Sequence, residues 1–289
     1  MDIQTICVCG AGTMGSGIAQ LSATAGFNTI LYELNQVVLK KAQVSIQKNL
    51  QSLEDKKKIP AGEKEKIFQR IHFTGELQEC LADVIIEAII EDAQAKVILF
   101  NQLAEINHAE IIFASNTSSL SITDIGNKVV NPRRVLGMHF FNPAPLMKLV
   151  EVVKGEKTSD EVVQAIVDLA KALEKTAVVC KDAPGFIVNR VARPFYIESL
   201  RVAEEQIDFA TIDELLEATG FKLGPFRLMD LIGNDINYSV SCSIYEQLNR
   251  PEHLKPSYIQ KEKVEKGELG KKSGKGYYDY NIDRPKQQR

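Results

Sequence analysis

The stretch Ile-Gln-Thr-Ile-Cys-Val-Cys-Gly-Ala-Gly-Thr-Met-Gly, residues 3–15, decides how the rest of the sequence is interpreted. Its first seven residues form an apolar run that is too short for a helix, which predicts a buried strand over Ile3–Cys9. The glycines follow at once with the spacing G-x-G-x-x-G, and a helical pattern then extends over Met14–Ala25. In this strand–turn–helix setting, the spacing is typical of a loop that holds the pyrophosphate of a dinucleotide.

The positions of this loop have separate physical tasks. Gly10 permits the tight turn, Gly12 lets the backbone approach the pyrophosphate, and Gly15 lets the helix and the strand pack closely. The helix that begins at Met14 supplies N–H groups and a partial positive charge. A second predicted strand leads to Glu33, whose carboxylate could accept both ribose hydroxyls and would repel a 2′-phosphate, which favours NAD over NADP. The alternative is a glycine-rich turn with a surface glutamate that caps a helix.

Short apolar runs continue to alternate with amphipathic segments up to about residue 180. Further strands are predicted over Thr29–Tyr32, Val84–Glu87, Ile111–Ala114, Val135–His139 and Ala177–Cys180. Helices are predicted over Met14–Ala25, Gln36–Leu53, Lys64–Arg70, Ala93–Asn107 and Ser159–Leu173. This alternation implies an α/β fold with a Rossmann-type, mostly parallel sheet. Residues 35–70 are the one long excursion, and we expect an inserted helical hairpin there.

The strand signal nearly disappears after Cys180, where Lys181–Gly185 forms a cluster of helix- and strand-breaking residues. The remaining segments are predicted helices over Ile187–Glu205, Thr211–Thr219 and Asp235–Leu248. We therefore expect an NAD-binding Rossmann domain over residues 1–182 and an all-α domain over residues 183–289. The first helix of the second domain has an apolar face that needs partners, so we expect this domain to form the contact of a homodimer.

Composition excludes several classes of protein. With 35 basic and 38 acidic residues, the net charge of −3 argues against nucleic acid as the main partner. No apolar run approaches the roughly 18 residues that span a bilayer, so no membrane association is expected. Five scattered cysteines are typical of free thiols in a reducing compartment, which favours the cytoplasm. No His/Cys spacing suggests a metal site.

His139 is the candidate catalytic base among the four histidines of the chain. Oxidation of an alcohol needs a base that takes the hydroxyl proton, and histidine titrates near neutral pH. His139 ends a predicted strand, and ligands of open α/β sheets bind beyond the carboxyl ends of strands. Glu151 follows after an apolar segment, and a hairpin-like return could bring its carboxylate to the imidazole. The alternative is a core histidine whose polar atoms are satisfied.

Seven motifs then give the sequence a resemblance to a known family. They are Gly10–Gly15, Ser115–Leu120, Gly137–Pro143, Lys148–Val153, Asp182–Arg190, Gly224–Phe226 and Gly274–Tyr278. With these motifs in order from residue 3 to about residue 280, the chain resembles the 3-hydroxyacyl-CoA dehydrogenase family. Its length is nearest to that of the 3-hydroxybutyryl-CoA dehydrogenases. The resemblance implies an oxidoreductase that interconverts a (3S)-3-hydroxyacyl-CoA and a 3-oxoacyl-CoA with NAD(H).

The resemblance also implies roles for individual residues. His139 would take the proton of the 3-hydroxyl group, and Glu151 would be the acid paired with it. Ser118 would hydrogen-bond the 3-oxygen of the substrate, and Asn189 would help to hold the substrate and His139 in register. Asn142 would donate its amide near the reacting oxygen or the nicotinamide. On the residues alone, Ser118 could instead cap a following helix, and Asn189 could bond local backbone.

Further positions are implied at the cofactor and at the CoA nucleotide. Glu91, Lys96 and Asn116 match positions that family members use at the cofactor, together with Met14 and Ser118. On sequence alone, Glu91 could be an acid favoured by a helix dipole, and Lys96 could be a solvated charge. The nearest matches to positions that contact the CoA nucleotide are Asn49 and Lys56, in a lysine-rich region that could also be an ordinary solvated face.

Two other functions stay open at this point. A related β-hydroxyacid dehydrogenase that acts on free acids would share the domain plan, but it is expected to use a lysine base. A non-catalytic, crystallin-like relative would keep the fold without turnover. The joint presence of Ser118, His139, Glu151 and Asn189 argues against the second alternative.

Overall fold

The computed structural model describes residues 3–281 and divides the chain into two compact units, with the boundary between Ala183 and Pro184. Within the described residues, no helix combines the length and the apolar character needed to cross a bilayer. The same residues contain no group of three or more His, Cys, Asp or Glu side chains placed to hold a metal ion. All five cysteines are free thiols.

The first unit is built on one eight-stranded sheet with the strand order β3-β2-β1-β4-β5-β6-β7-β8. The strands are β1 (Thr5–Cys9), β2 (Asn28–Tyr32), β3 (Ile71–Thr74), β4 (Val84–Glu87), β5 (Ile112–Ser115), β6 (Val135–Phe140), β7 (Leu149–Lys154) and β8 (Thr176–Lys181). Neighbouring strands are parallel except for β6 and β7, which pair antiparallel. The prediction of a mostly parallel sheet of the Rossmann type is confirmed.

Helices cover both faces of this sheet. They are α1 (Thr13–Thr24), α2 (Gln36–Asp55), α3 (Glu63–Gln69), α4 (Ala93–Ile106), α5 (Ile122–Gly126) and α6 (Asp160–Ala172). Alternate residues of β1 enter two different apolar clusters, because successive side chains of a strand point to opposite faces. Ile6 and Val8 belong to one cluster, whereas Cys7 and Cys9 belong to the other. The predicted helical hairpin is present as α2 and α3.

Two strands of the first unit were absent from the predicted set. Strand β3 reads Ile-His-Phe-Thr and lies at the sheet edge, where only Ile71 and Thr74 are buried. It therefore lacks the continuous apolar run of a central parallel strand. This strand also contains His72, which follows the predicted helix Lys64–Arg70 by two residues. Strand β7 overlaps the apolar segment Met147–Val150 that precedes Glu151. Its pairing with β6 and β8 continues the strand to Lys154.

The second unit consists of helices, as predicted. They are α7 (Val188–Glu204), α8 (Phe209–Ala218), α9 (Pro225–Ile232), α10 (Asn234–Gln247) and α11 (Tyr258–Glu265). Helices α9 and α11 were missed because they are short, and α9 begins directly at Pro225, a residue that favours the first helical position. One apolar cluster joins residues of α7 and α9 to Tyr277, and it includes Tyr196, Phe226 and Met229.

Candidate active site

The glycine loop lies between β1 and α1, at the point where the strand order of the sheet reverses. Gly10 has a φ of +100°, and a Cβ atom there would lie 2.6 Å from the Ala88 carbonyl oxygen of the neighbouring segment. A Cβ atom at Gly15 would lie 1.7 Å from the Gly10 carbonyl oxygen, so helix α1 approaches the loop too closely for any side chain. At Gly12, by contrast, a Cβ atom would meet nothing within 4 Å. The loop is closely packed on its inner side and open at Gly12.

Glu33 lies beside this loop, immediately after β2. One carboxylate oxygen accepts a hydrogen bond from the Ala11 N–H at 3.0 Å, and the other accepts from the Asn35 N–H at 3.0 Å. The carboxylate is half-buried and rests against the open side of the turn. The residues that would hold a dinucleotide therefore fit one: an uncapped helix N-terminus, a Gly12 position that faces open space, and an acid directly after the second strand.

The carboxyl ends of β1, β2, β4, β5 and β6 all lie at the same edge of the sheet, because these strands are parallel. Gly10 follows β1 and Glu33 follows β2 at this edge. Glu87 and Ser115 end β4 and β5, and His139 is the penultimate residue of β6. Main-chain topology thus brings the dinucleotide loop and the candidate base to one edge.

His139 and Glu151 face each other across the antiparallel pair β6 and β7, where they are direct register partners. Directly opposite residues of an antiparallel pair project to the same side of the sheet. The His139 Nδ1 atom lies 2.7 Å from a Glu151 carboxylate oxygen, and the residues are 6% and 1% exposed. A carboxylate in this place fixes the orientation of the imidazole and stabilises an imidazolium that forms when Nε2 accepts a proton.

Ser118 lies in a loop after β5 that is bonded to Glu91. One carboxylate oxygen of Glu91 accepts hydrogen bonds from the Thr117 hydroxyl at 2.5 Å and from the Ser118 N–H at 3.1 Å. Helix α5 is capped by Ser121, whose hydroxyl accepts from the Asp124 N–H, so the expected alternative that Ser118 caps this helix is not realised. Ser118 is therefore not a helix cap, and it lies in a loop that hydrogen bonds to Glu91 hold in place.

Lys96 is buried between two carboxylates and is not a solvated surface charge. Its side chain is 1% exposed, and its ammonium group lies 2.6 Å from a Glu87 oxygen and 3.2 Å from a Glu91 oxygen. The second oxygen of Glu87 accepts from the Ser115 hydroxyl at 2.6 Å. Lys96 is therefore linked to the Ser118 loop through Glu91, the residue that holds this loop.

The two carboxylates of this network respond differently to burial. Desolvation raises the pKa of Glu87, which is fully buried, and the attraction of Lys96 only partly offsets that effect. Burial would also raise the pKa of Glu91, but Lys96 and the donors of the Ser118 loop outweigh it and hold this pKa below its ordinary value. The network therefore favours the charged form of Glu91, the carboxylate that bonds the Ser118 loop.

Two asparagines lie near the end of β6. The Asn116 side-chain oxygen accepts from the Phe140 N–H at 2.9 Å, and the Asn116 N–H donates to the Glu87 carbonyl at 2.8 Å. Asn116 thus joins the ends of β4 and β6 beside His139. Asn142 is exposed and precedes a cis peptide bond to Pro143.

The remaining predicted residues lie away from this edge or in the other unit. Asn49, on α2, donates to the Gln20 side chain of α1 at 3.2 Å, and Lys56 is exposed at the end of α2. Asn189 is in the first turn of α7, in the second unit, and its part in holding the substrate stays a prediction.

Sequence reasoning missed Glu87 as part of the site. The available signal was an acidic residue that ends an otherwise apolar strand, Val84–Glu87, nine residues before Lys96. Because a fully buried carboxylate is costly without a cation, this pattern predicts a basic partner nearby.

Residues 5–183 match the family model for the 3-hydroxyacyl-CoA dehydrogenase NAD-binding domain, and residues 185–280 match the model for the C-terminal domain of that family. A protein of Escherichia coli K12 named 3-hydroxyadipyl-CoA dehydrogenase is 42% identical over 287 residues, which is 98% of this chain and 60% of that protein. The chain thus spans less than two thirds of the length of this relative.

Two further relatives match over nearly their whole length. A probable 3-hydroxybutyryl-CoA dehydrogenase of Bacillus subtilis is 40% identical over 97% of this chain and 98% of its own. The crystal structure of (S)-3-hydroxybutyryl-CoA dehydrogenase from Ralstonia eutropha has a TM-score of 0.92 at 34% identity, over 97% of this chain and all of that one. With an NAD-binding fold of this kind and both domain models matched in order, the chain belongs to the 3-hydroxyacyl-CoA dehydrogenase family of NAD-dependent oxidoreductases.

Proposed function

We propose that this chain interconverts (3S)-3-hydroxyacyl-CoA and 3-oxoacyl-CoA with NAD(H), with short-chain esters such as 3-hydroxybutyryl-CoA as substrates. The observation that carries the proposal is the 2.7 Å contact between the His139 imidazole and the Glu151 carboxylate, at the same sheet edge as the glycine loop. The names of relatives refer to two acyl groups: hydroxybutyryl, which ends in a methyl group, and hydroxyadipyl, which ends in a second carboxylate.

In the proposed mechanism, His139 is the general base of the oxidation. Its Nε2 atom takes the proton of the 3-hydroxyl group while Glu151 stabilises the imidazolium through Nδ1–H. A nicotinamide dinucleotide held at the glycine loop and Glu33 would supply the acceptor for the hydride of C3. In the reverse direction, the imidazolium returns its proton to the 3-oxygen. Neutral donors from Ser118 and Asn142 hold that oxygen without adding charge, and Asn189 keeps the substrate in register.

The cofactor is assigned to residues that border the glycine loop. Gly10, Gly12, Met14 and Gly15 would hold the pyrophosphate, and Glu33 would accept from the ribose hydroxyls. Further support at the cofactor comes from Glu91, Lys96, Asn116, Ser118 and Asn142. Asn49 and Lys56 remain the proposed contacts to the CoA nucleotide.

We also propose the domain roles and the assembly expected from the sequence. Residues 1–182 would form the NAD-binding domain, and residues 183–289 the substrate-binding domain through which two copies form a homodimer. A cytoplasmic location remains a prediction.

The test is the rate of NADH oxidation with acetoacetyl-CoA by the purified chain and by its His139→Gln variant. We expect turnover by the unmodified chain, loss of at least about 100-fold in kcat on substitution, and little change in NADH affinity by fluorescence titration. A chain that oxidises free 3-hydroxy acids and ignores the CoA esters would support the β-hydroxyacid dehydrogenase alternative. NADH binding without any turnover would support the non-catalytic alternative.

A further inference from the structure

Arg193 is a buried cation in the second unit. It lies on α7 and is 3% exposed. Its Nε atom donates to the Asn189 carbonyl at 3.0 Å, and its Nη1 atom donates to the Asn237 carbonyl at 3.1 Å and to the Ser241 hydroxyl at 2.8 Å. The guanidinium also lies over the Tyr196 ring, 4.8 Å from its centroid. All of these partners are neutral.

The charge of Arg193 has no counter-ion within residues 3–281, where no Asp or Glu side chain forms an ion pair with it. Desolvation accordingly lowers the pKa of Arg193 to about 10. Two other buried cations differ from it. Lys96 is paired with carboxylates, and the ammonium group of Lys175 bonds three backbone carbonyls, one for each of its N–H groups. The Nη2 atom of Arg193, with two N–H groups, forms no hydrogen bond to any described residue.

A second donor without an acceptor belongs to Asn237, the residue whose backbone carbonyl bonds this guanidinium. The side-chain oxygen of Asn237 accepts from Gln260 Nε2 at 3.1 Å, whereas Asn237 Nδ2 is buried and has no partner among the described residues. Asn237 and Ser241 are one turn apart on α10 and both bond Arg193 Nη1. The cluster therefore has a positive charge and N–H groups that donate to no described residue. A carboxylate matches this set, since a hydrogen bond from a charged guanidinium to an ionised oxygen is shorter and stronger than one between neutral groups.

Arg193 lies one helical turn after Asn189, on the same side of α7. Four residues correspond to about 6 Å along a helix axis. In the proposed function, Asn189 contacts the reacting end of the substrate. A carboxyl carbon three carbon–carbon bonds beyond C3 lies roughly 4 Å from it at ordinary bond lengths. The reach of a six-carbon dicarboxylic acyl chain is thus comparable with the separation of the two side chains.

We propose that Arg193, assisted by Asn237, binds the terminal carboxylate of a dicarboxylic 3-hydroxyacyl-CoA, so that the enzyme prefers such substrates to plain fatty acyl esters of equal length. This inference rests on the proposed function and names the substrate class of the same site. The terminal carboxylate of the substrate supplies the counter-ion of Arg193 that residues 3–281 do not provide.

The test compares 3-oxoadipyl-CoA with 3-oxohexanoyl-CoA, which has the same number of acyl carbons and a methyl group in place of the carboxylate. We expect kcat/KM of the unmodified chain to favour the dicarboxylic ester by at least about tenfold. Arg193→Met should lower kcat/KM for 3-oxoadipyl-CoA by roughly 100-fold, because a charged pair to a buried carboxylate is lost, and should change the value for 3-oxohexanoyl-CoA by less than about threefold.

The matched control is Arg201→Met, on the same helix. The Arg201 guanidinium pairs with Glu198 at 2.8 Å, and we expect both kcat/KM values to stay unchanged. Because the Arg193 variant could fail to fold, inhibition of the unmodified chain by adipyl-CoA and hexanoyl-CoA, which lack the 3-oxygen, gives an independent measurement. Adipyl-CoA should inhibit at a concentration at least about tenfold lower.

The outcomes separate this inference from the proposed function. Turnover of neither acetoacetyl-CoA nor the longer esters would contradict the proposed function itself. Turnover of acetoacetyl-CoA with equal kcat/KM or equal inhibition for the two six-carbon esters would overturn only the assignment of Arg193. An equal loss for both esters in the Arg193 variant would do the same and would make Arg193 a clamp between α7 and α10. If this variant becomes monomeric and loses kcat/KM equally for both esters, the assignment of Arg193 to the substrate is also overturned, and the counter-ion of Arg193 is then a carboxylate of a second copy of the chain.

Discussion

Replacing Glu151 with glutamine removes the charge beside His139 and keeps the shape of the side chain. The two groups are 2.7 Å apart and almost fully buried. At an effective dielectric constant of about 20, unit charges at this distance attract by roughly 6 kcal/mol. A neutral amide that still accepts from Nδ1–H keeps part of this, and we take about half as lost. A loss of about 3 kcal/mol in the transition state corresponds to roughly a 150-fold lower kcat.

The assay is steady-state oxidation of NADH with saturating acetoacetyl-CoA, together with an NADH titration and a thermal unfolding curve. NADH affinity should change less than about twofold, because the pair acts on proton transfer and not on the dinucleotide loop. Glu161→Gln, at an exposed position in the first turn of α6, is the control and should retain full activity. A kcat within fivefold of the unmodified value, or an equal loss of NADH affinity, would refute this reasoning.

Three further predictions concern the loop, the buried lysine and an acid of the second unit. Gly12→Ala should fold normally but weaken NADH binding at least about tenfold. Gly15→Ala should lower the free energy of unfolding by about 3 kcal/mol or more, because its methyl group would meet a carbonyl oxygen 1.7 Å away. Urea unfolding and NADH titration of both variants test this, and equal effects of the two substitutions would contradict it. Lys96→Met should lower the free energy of unfolding by about 3–5 kcal/mol, since it leaves Glu87 buried without a cation, and a loss below about 1 kcal/mol would show that another group compensates. Two lysine ammonium groups at 2.7 and 2.6 Å lower the pKa of Glu268 to about 2. Because the folded pKa is lower than the unfolded one, this stabilisation is present above the ordinary pKa of 4.5 and is lost as the pH falls toward 2. The urea midpoints of the unmodified chain and Glu268→Gln should therefore differ at pH 7 and converge in acid, and a difference that does not depend on pH would contradict the assignment.

The parts of the fold that the sequence predicts are those set by local chemistry. The glycine loop follows from backbone requirements at single positions, such as the φ of +100° at Gly10. Central strands such as β4 are continuous apolar runs because both of their faces are covered. Strand β3 escaped prediction because its pattern is that of an edge strand, in which only two of the four residues are buried.

The parts of the site that the sequence did not predict depend on contacts between distant residues. Lys96 reads as one charge on a helix until the fold places Glu87 and Glu91 around it. Arg193 reads as a helix residue until α10 covers it with neutral partners. Whether a charge is buried depends on how the chain packs, so the pattern of a single sequence does not predict it. The pairing of His139 with Glu151 was foreseen because the two residues are only one hairpin apart.

The antiparallel pairing of β6 with β7 has a consequence for how this protein could change over time. The relative position of His139 and Glu151 is set by the hydrogen-bond ladder of the sheet. A slip of one residue would send Glu151 to the opposite face, and burial on both sides opposes such a slip. Residues 141–148 connect the two strands, and among them Phe141 packs against the imidazole, with the ring centroids 4.6 Å apart. Outside Phe141 and Asn142, the composition of that connection can vary, so new substrate preferences can arise there without disturbing the contact between His139 and Glu151.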